Sequence, residues 1–360
     1  MFESALSILH RAVEQGVIPS AAVAIGRREG TYTTAVFGNR EVYPTPVPAD
    51  VNSLYDMASL TKTMATAMVA LRMAQAGEIS LYDTIGDYLN APADKHGITL
   101  LQLLTHNSGM PAHVMLRDRC TASAEALELL LALPLEKPTG ADVIYSCLGY
   151  IVLGKILEQV GGAPLDVLAR RMVFEPLGMR ATGFCPGDGN VAATEFDATC
   201  GCYIKGEVHD ENARFLGGVS GNAGLFSTVG DCASFATMLA CGGSLHGQAF
   251  LSPAVFTRAI SNHTPGIEES RGIGFSLADG RPLSCGEFFS RGSFGHTGFT
   301  GTSIWVDRQS GLWVVLLSNA VHFGRDKDAF LRVRRMFHNA VAAQFSGATG
   351  FGREAWNEQI

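Results

Sequence analysis

The chain lacks most of the features that would assign it to a class at once. Its 360 residues carry a formal net charge of -7 and no run of five like charges, so no nucleic-acid or anionic-membrane partner is expected. No stretch approaches 18 consecutive uncharged apolar residues, and no membrane span is expected. The opening MFESALSILHRAVEQG lacks both a basic leader and an unbroken apolar segment; with Glu3, Arg11 and Glu14 it reads as an amphipathic helix. A cytoplasmic protein is expected, although a periplasmic or secreted chain whose leader had been removed would read the same way. Eight cysteines (120, 147, 185, 200, 202, 232, 241 and 285) show no paired zinc-site spacing, so reduced thiols are expected rather than a disulfide framework. A Gly-x-Ser-x-Gly elbow is absent, which argues against an ordinary α/β-hydrolase. The phosphate-binding Gly-x-x-x-x-Gly-Lys-Ser/Thr is absent too, and no cofactor or metal is expected.

What is present is a large apolar complement, 47% of residues, enough for one elaborated domain or two interlocked ones. Strand-like runs at Ser20 to Arg27 and Thr31 to Phe37, joined around Glu29-Gly30, form a hairpin signal. Helical periodicity then dominates to about residue 180: Leu60 to Ala76, Leu100 to Leu104, Ala122 to Leu131, Tyr150 to Val160 and Leu165 to Val173. Residues 183–230, dense in glycine, read as functional loop. A helix at Asp231 to Ala240, strands at Thr302 to Val306 and Leu312 to Leu317, and a last helix at Asp326 to Gln344 complete the pattern. Strands at both ends with helices between predict an α/β region from residues 1–82 and 290–360, with a helical and loop-rich insert over 83–289.

The helix from Leu60 is apolar nearly all round, so it is expected to be buried. Lys62 falls in its first turn, where desolvation favours the neutral amine, which is a base. Ser59 stands three residues earlier, on the same face; this is the only Ser-x-x-Lys in the chain. A hydroxyl beside a group able to take its proton is the Ser-Lys form of nucleophilic catalysis. At a helix start, unpaired backbone N–H groups can also face a developing oxyanion. The competing reading makes Ser59 a helix cap and Lys62 a solvated side chain.

Two longer segments, LYDMASLTKTMATAMVALRMAQAGEISLYDTIGDYL and ITLLQLLTHNSGM, together with YSCLGYIVLGKILE, VHDENARFLGGVSGNAGLFSTVGD and SFGHTGFTGTSIWVD, resemble the serine β-lactamase, DD-peptidase and related esterase family over most of the chain. The resemblance implies a β-lactamase-like fold, in which an antiparallel sheet from both termini, flanked by helices, accepts a helical insert. It also implies an acyl-enzyme at Ser59, with Lys62 and Tyr145 handling its proton, and an oxyanion hole from the N–H groups of Ser59 and Phe299. Either Lys62 or Tyr145 would serve as base. His296-Thr297-Gly298 stands where the family usually has Lys-Thr-Gly and would line the substrate site. Cys147 replaces the usual asparagine of Tyr-x-Asn; it is either a packing residue or a thiol contacting substrate, and it does the asparagine's work poorly. A neutral imidazole at 296 would hold a substrate carboxylate weakly.

These departures lean toward a carboxylesterase or amidase of small acyl substrates. A class C-like β-lactamase or D-amino-acid-specific peptidase is the second reading, and a non-hydrolytic, acylated sensor the third. The partner in each case is a small ester, amide or lactam; the oligomeric state is not expressed in the sequence. His209-Asp210-Glu211 is expected to shape the pocket rim rather than bind metal, with Asp210 or Asn212 touching substrate. Cys200-x-Cys202 is expected to be structural or incidental, and His106-Asn107 a structural turn.

Overall fold

A computed structural model describes residues 2–279 and 283–348. Among them, eight strands form one antiparallel sheet: β1 (Ser20–Arg27), β2 (Gly30–Glu41), β3 (Val47–Pro48), β4 (Arg271–Gly272), β5 (Phe275–Leu277), β6 (Phe294–Thr297), β7 (Ser303–Val306) and β8 (Trp313–Leu317). Their spatial order is β4-β5-β6-β7-β8-β1-β2-β3. The central pair joins the two ends of the chain, with Ala22 opposite Leu317 and Gly26 opposite Trp313.

The sequence of β1, SAAVAIGR, is apolar at every position but its ends, and the reason is that both faces are covered. Ala21, Val23 and Ile25 pack into one core with Leu9 and Ala12 of α1 (Glu3–Glu14) and with Phe337 and Val341 of the last helix. Ala22 and Ala24 face a second, larger core that includes Met64, Met68 and Leu71. A strand with one wet face would alternate; this one cannot.

The helix carrying Ser-x-x-Lys is π-wound over Lys62–Ala67 and α-helical as α2 over Met68–Ala76, ending at Gly77 in the left-handed conformation with φ 76°. Such wider turns concentrate at functional sites. Three threonines pin it: Thr61 Oγ1 accepts the Leu225 N–H at 3.1 Å, Thr63 donates to the Gly274 carbonyl at 2.7 Å, and Thr66 to the Gly221 carbonyl at 2.7 Å. Further helices are α3 (Cys147–Gly161), α4 (Val229–Ala240) and α5 (Asp328–Ala348).

Two expectations need correction. The sheet does not begin at 290, because β4 and β5 lie within the segment assigned to the insert; their two and three residues are too short to show a period. Cys200 and Cys202 form a disulfide rather than two free thiols; their main chains are brought together by the small hairpin of Phe196–Asp197 and Cys202–Tyr203. Met1 and residues 349–360 of the expected terminal region lie outside the described residues. Among the described residues, no helix is long and apolar enough to cross a membrane.

Candidate active site

Ser59 lies on the turn between the short strand Tyr55–Asp56 and the helix of Lys62. The preceding Ala58 is held in the left-handed region at φ 45°, a strained conformation for a residue with a Cβ. Buried Asp56 supports it: one carboxylate oxygen accepts the Ala58 N–H at 2.8 Å, and the other accepts the His209 N–H at 2.7 Å. Burial raises the Asp56 carboxyl above its ordinary range, against the pull of those two N–H groups.

Lys62 is fully buried. Its Nζ donates to Ser59 Oγ at 3.1 Å, to the Asn222 carbonyl at 2.9 Å and to Cys147 Sγ at 3.5 Å. Three donors thus have three acceptors. Burial opposes its charge, yet Cys147, Tyr145 and Asp210 together hold Lys62 above the ordinary lysine value. The expectation of a resting neutral amine is therefore corrected: a burial argument from sequence cannot see acceptors supplied from residues 147 and 222.

Tyr145 precedes α3 and is clamped by His106, itself at φ 61°. The His106 carbonyl accepts the Ile144 N–H at 2.8 Å, and His106 Nδ1 accepts the Ser146 N–H at 3.1 Å. The two rings lie 4.4 Å apart. Burial holds His106 neutral, well below the usual histidine value. Lys62 Nζ lies 5.0 Å from the Tyr145 ring centroid, and the buried Tyr145 hydroxyl adds to the pull that keeps Lys62 charged. The turn read as structural thus positions the tyrosine.

His296, at the end of β6, is buried; its Nδ1 donates to the Thr297 carbonyl at 2.8 Å. Burial, then Arg271 and Lys62, push it down to about 3, so the ring is neutral. Gly298 follows, packed so closely that an added Cβ would strike Thr302 Oγ1 and the Met57 carbonyl. Phe299 then lies under Lys327, whose Nζ sits 3.2 Å from the ring centroid and donates to the Phe299 carbonyl.

Two cavities meet at Ser59, Tyr145 and Phe299. One, of about 320 Å³, includes His296, Thr297 and Gly298 and carries three cations, Arg271, Lys327 and Arg334, with no carboxylate among its lining residues. Burial lowers Lys327 to about 8. Arg271 pairs with Glu269, donates to Ser276 Oγ at 3.0 Å and lies 5.3 Å from the Tyr145 ring centroid. The other cavity, of about 240 Å³, is lined by Cys147, His113, His209, Asp210, Glu211 and Arg325. The residues expected near substrate are all on these walls except Asn212. Its side chain is turned inward, accepting the Leu116 N–H at 2.9 Å and donating to the Val114 carbonyl at 2.8 Å. Arg271 and Lys327 were not legible in the sequence, since each stands outside any motif, and Asn222 lies in the quoted glycine-rich segment without a mark that singles it out.

An antiparallel sheet closed by the two chain ends, with a serine and a buried lysine at its junction with a helical insert, is the architecture of the β-lactamase-like and penicillin-binding-protein-like hydrolases. The chain belongs to this family: the Beta-lactamase family model matches residues 7–335. A candidate D-alanyl-D-alanine carboxypeptidase of Escherichia coli O157:H7 is 32% identical over 312 residues, covering 77% of this chain and 71% of that protein. Among solved structures, EstCE1, a hydrolase with promiscuous acyltransferase activity, superposes with a TM-score of 0.76 at 23% identity, covering 94% of this chain and 97% of its own. The octameric penicillin-binding protein homologue of Pyrococcus abyssi gives 0.74 at 20% identity, covering 95% and 77%.

Proposed function

We propose that the protein is a serine acyl-hydrolase in which Ser59 is acylated by a small amide, ester or lactam bearing a carboxylate on its leaving-group side. The observation that carries the first half is the 3.1 Å contact between Ser59 Oγ and the buried Lys62 Nζ, at the mouth of both cavities. The cationic wall of the larger cavity supports the second half. The family position now occupied by neutral His296 carries no charge, but Lys327 and Arg334 stand on the same wall, with Arg271 in its pair with Glu269. This favours a D-amino-acid-specific peptidase or β-lactamase over an esterase of neutral acyl groups, in line with the name of the Escherichia coli relative.

In the proposed reaction, Lys62 first gives up one proton, and Ser59 Oγ then attacks the carbonyl carbon as the freed amine takes the Oγ–H proton. The Ser59 and Phe299 N–H groups stabilise the oxyanion, and Tyr145 Oη, buried beside Lys62, relays a proton from Lys62 to the leaving group. Water then releases the acyl group from Ser59. One oxyanion donor is worth about 3–4 kcal/mol. Ser59→Ala should abolish turnover across a panel of D-alanyl-D-alanine peptides, nitrocefin and p-nitrophenyl acetate, and should abolish labelling by a fluorophosphonate. Residual turnover in that variant removes Ser59 from the chemistry, while wild-type preference for the neutral ester refutes the carboxylate assignment.

A further inference from the structure

No carboxylate accepts a hydrogen bond from the Lys62 ammonium; Asp210 acts on it from farther off. Its three hydrogen-bond acceptors are a hydroxyl, a peptide carbonyl and the sulfur of Cys147. Of these only the sulfur can carry a full negative charge near neutral pH. Cys147 is also the first residue of the 15-residue helix α3, where the helix favours an anion, and its own N–H is occupied by the Ala112 carbonyl at 3.0 Å.

A lysine that is already an ammonium has no lone pair for the Ser59 proton. Something must first relieve it of a proton; of its neighbours Cys147 and Tyr145, a thiol ordinarily ionises lower than a phenol, about 8.5 against about 10, and Cys147 Sγ is in contact with Nζ. We propose that Cys147 is the proton-holding partner of Lys62: the pair rests as ammonium and thiolate, and Cys147 takes one proton across the 3.5 Å contact before Lys62 can activate Ser59. The transfer moves one proton from Nζ to Sγ and leaves the pair's net charge at zero. The freed Nζ lone pair then accepts the Oγ–H proton as the Oγ–C bond forms. Cys147 thus acts through Lys62, as a positioning residue, and the poor substitute for asparagine becomes a reservoir for the proton. Its consequence for turnover rests on the acyl-transfer reading above; the ion pair itself does not.

The groups that face this pair are Tyr145 before α3, Asp210 at the head of the helix Glu211–Phe215, and Ser59 on the nucleophile turn; His113, His209, Glu211 and Arg325 share the cavity wall. Lys62 is the fully buried cation among them and is in contact with the sulfur.

The experiment is peptide-resolved alkylation of the intact protein by iodoacetamide across pH, without substrate. Cys147 should react with a midpoint at least one unit below the free-thiol value of about 8.5, and Lys62→Met should move the midpoint back up and slow the reaction at pH 6.5 at least about tenfold. Should Lys62→Met fold poorly, thiolate absorbance near 240 nm gives the same midpoint from the wild type minus Cys147→Ala. A Cys147 midpoint at or above that of a free thiol overturns the ion pair. With the best substrate of the panel, Cys147→Asn should shift the acid limb of kcat/KM by at least half a unit while Ser59 remains labelled by fluorophosphonate. An unmoved limb with a low Cys147 midpoint overturns the proton-holding step alone, and absence of turnover in the wild type overturns the substrate reading without touching the alkylation result.

Discussion

At the scale of single residues, the site is a problem of charge placement. Family resemblance drew attention to position 296, where a lysine has become histidine, and the structure shows that the ring is neutral and that the nearby charges are those of Arg271, Lys327 and Arg334. Arg271→Met should therefore act on substrates according to their charge. A charge-assisted hydrogen bond is worth about 1.5–3 kcal/mol, so kcat/KM for a carboxylate-bearing amide should fall about 10- to 150-fold. Turnover of p-nitrophenyl acetate should change less than about twofold, which also shows that the variant is folded. Equal losses on both substrates would mean that Arg271 only supports Tyr145. Lys327 adds a pH signature: it loses its charge near pH 8, so KM for the same amide should rise above that pH. Ser59, Lys62, Tyr145 and His296 were legible because each belongs to a short motif whose order along the chain is itself informative. Arg271 and Asn222 carry no such mark, since a lone arginine or a glycine-flanked asparagine becomes part of the site only through long-range packing.

At the scale of elements, helices and strands of four residues or more that carry a period were legible, down to Leu100–Leu104 and Ser303–Val306, and the two- and three-residue strands were not. Ser20 to Arg27 reads as a strand because its seven small or β-branched residues before Arg27 need two cores to cover them, and both cores are there. Two-residue strands such as Arg271–Gly272 have no period to detect, and the π-wound start of the nucleophile helix has the same composition as an α-turn. The junction between β6 and the nucleophile turn is closely packed. Gly298 is pressed against the Met57 carbonyl and Thr302 Oγ1, while Thr302 Oγ1 donates to that same carbonyl at 3.2 Å. Gly298→Ala should force β6 away from Ser59. Overpacking costs about 1–3 kcal/mol of stability, and misplacing one oxyanion donor costs about 100-fold in the acylation rate. Burst-phase kinetics and a thermal melt measure the two; a variant that acylates at the wild-type rate would remove β6 from the oxyanion hole.

At the scale of the whole molecule, closing the sheet with both chain ends buries polar groups that local sequence cannot protect, and histidines report this most directly. His106 and His296 are buried on either side of Tyr145 in the site, and His338 is buried in the last helix. Burial holds His338 down to about 4, although its Nδ1 donates to the Arg334 carbonyl at 2.8 Å. All three have folded-state values below the ordinary histidine value of about 6.5. Below that pH the unfolded chain therefore binds more protons than the folded one, and stability falls as the solution is acidified toward the folded values. Above about pH 7 both states are neutral at these sites and the effect vanishes. Each histidine adds a slope approaching about 1.4 kcal/mol per pH unit between roughly pH 6 and 4.5. Buried Asp56 and half-buried Asp231, with raised values, act in the opposite sense, so the total slope is not the cleanest measure. His338→Gln isolates one term, because the carboxylates titrate alike in both proteins and the variant is remote from Ser59. Urea unfolding at intervals from pH 7.5 to 4.5 should show the stability gap between wild type and variant changing by one proton's slope below pH 6 and staying constant above pH 7. A gap that does not vary with pH would show that His338 titrates in the folded protein as it does in the unfolded chain, against its burial.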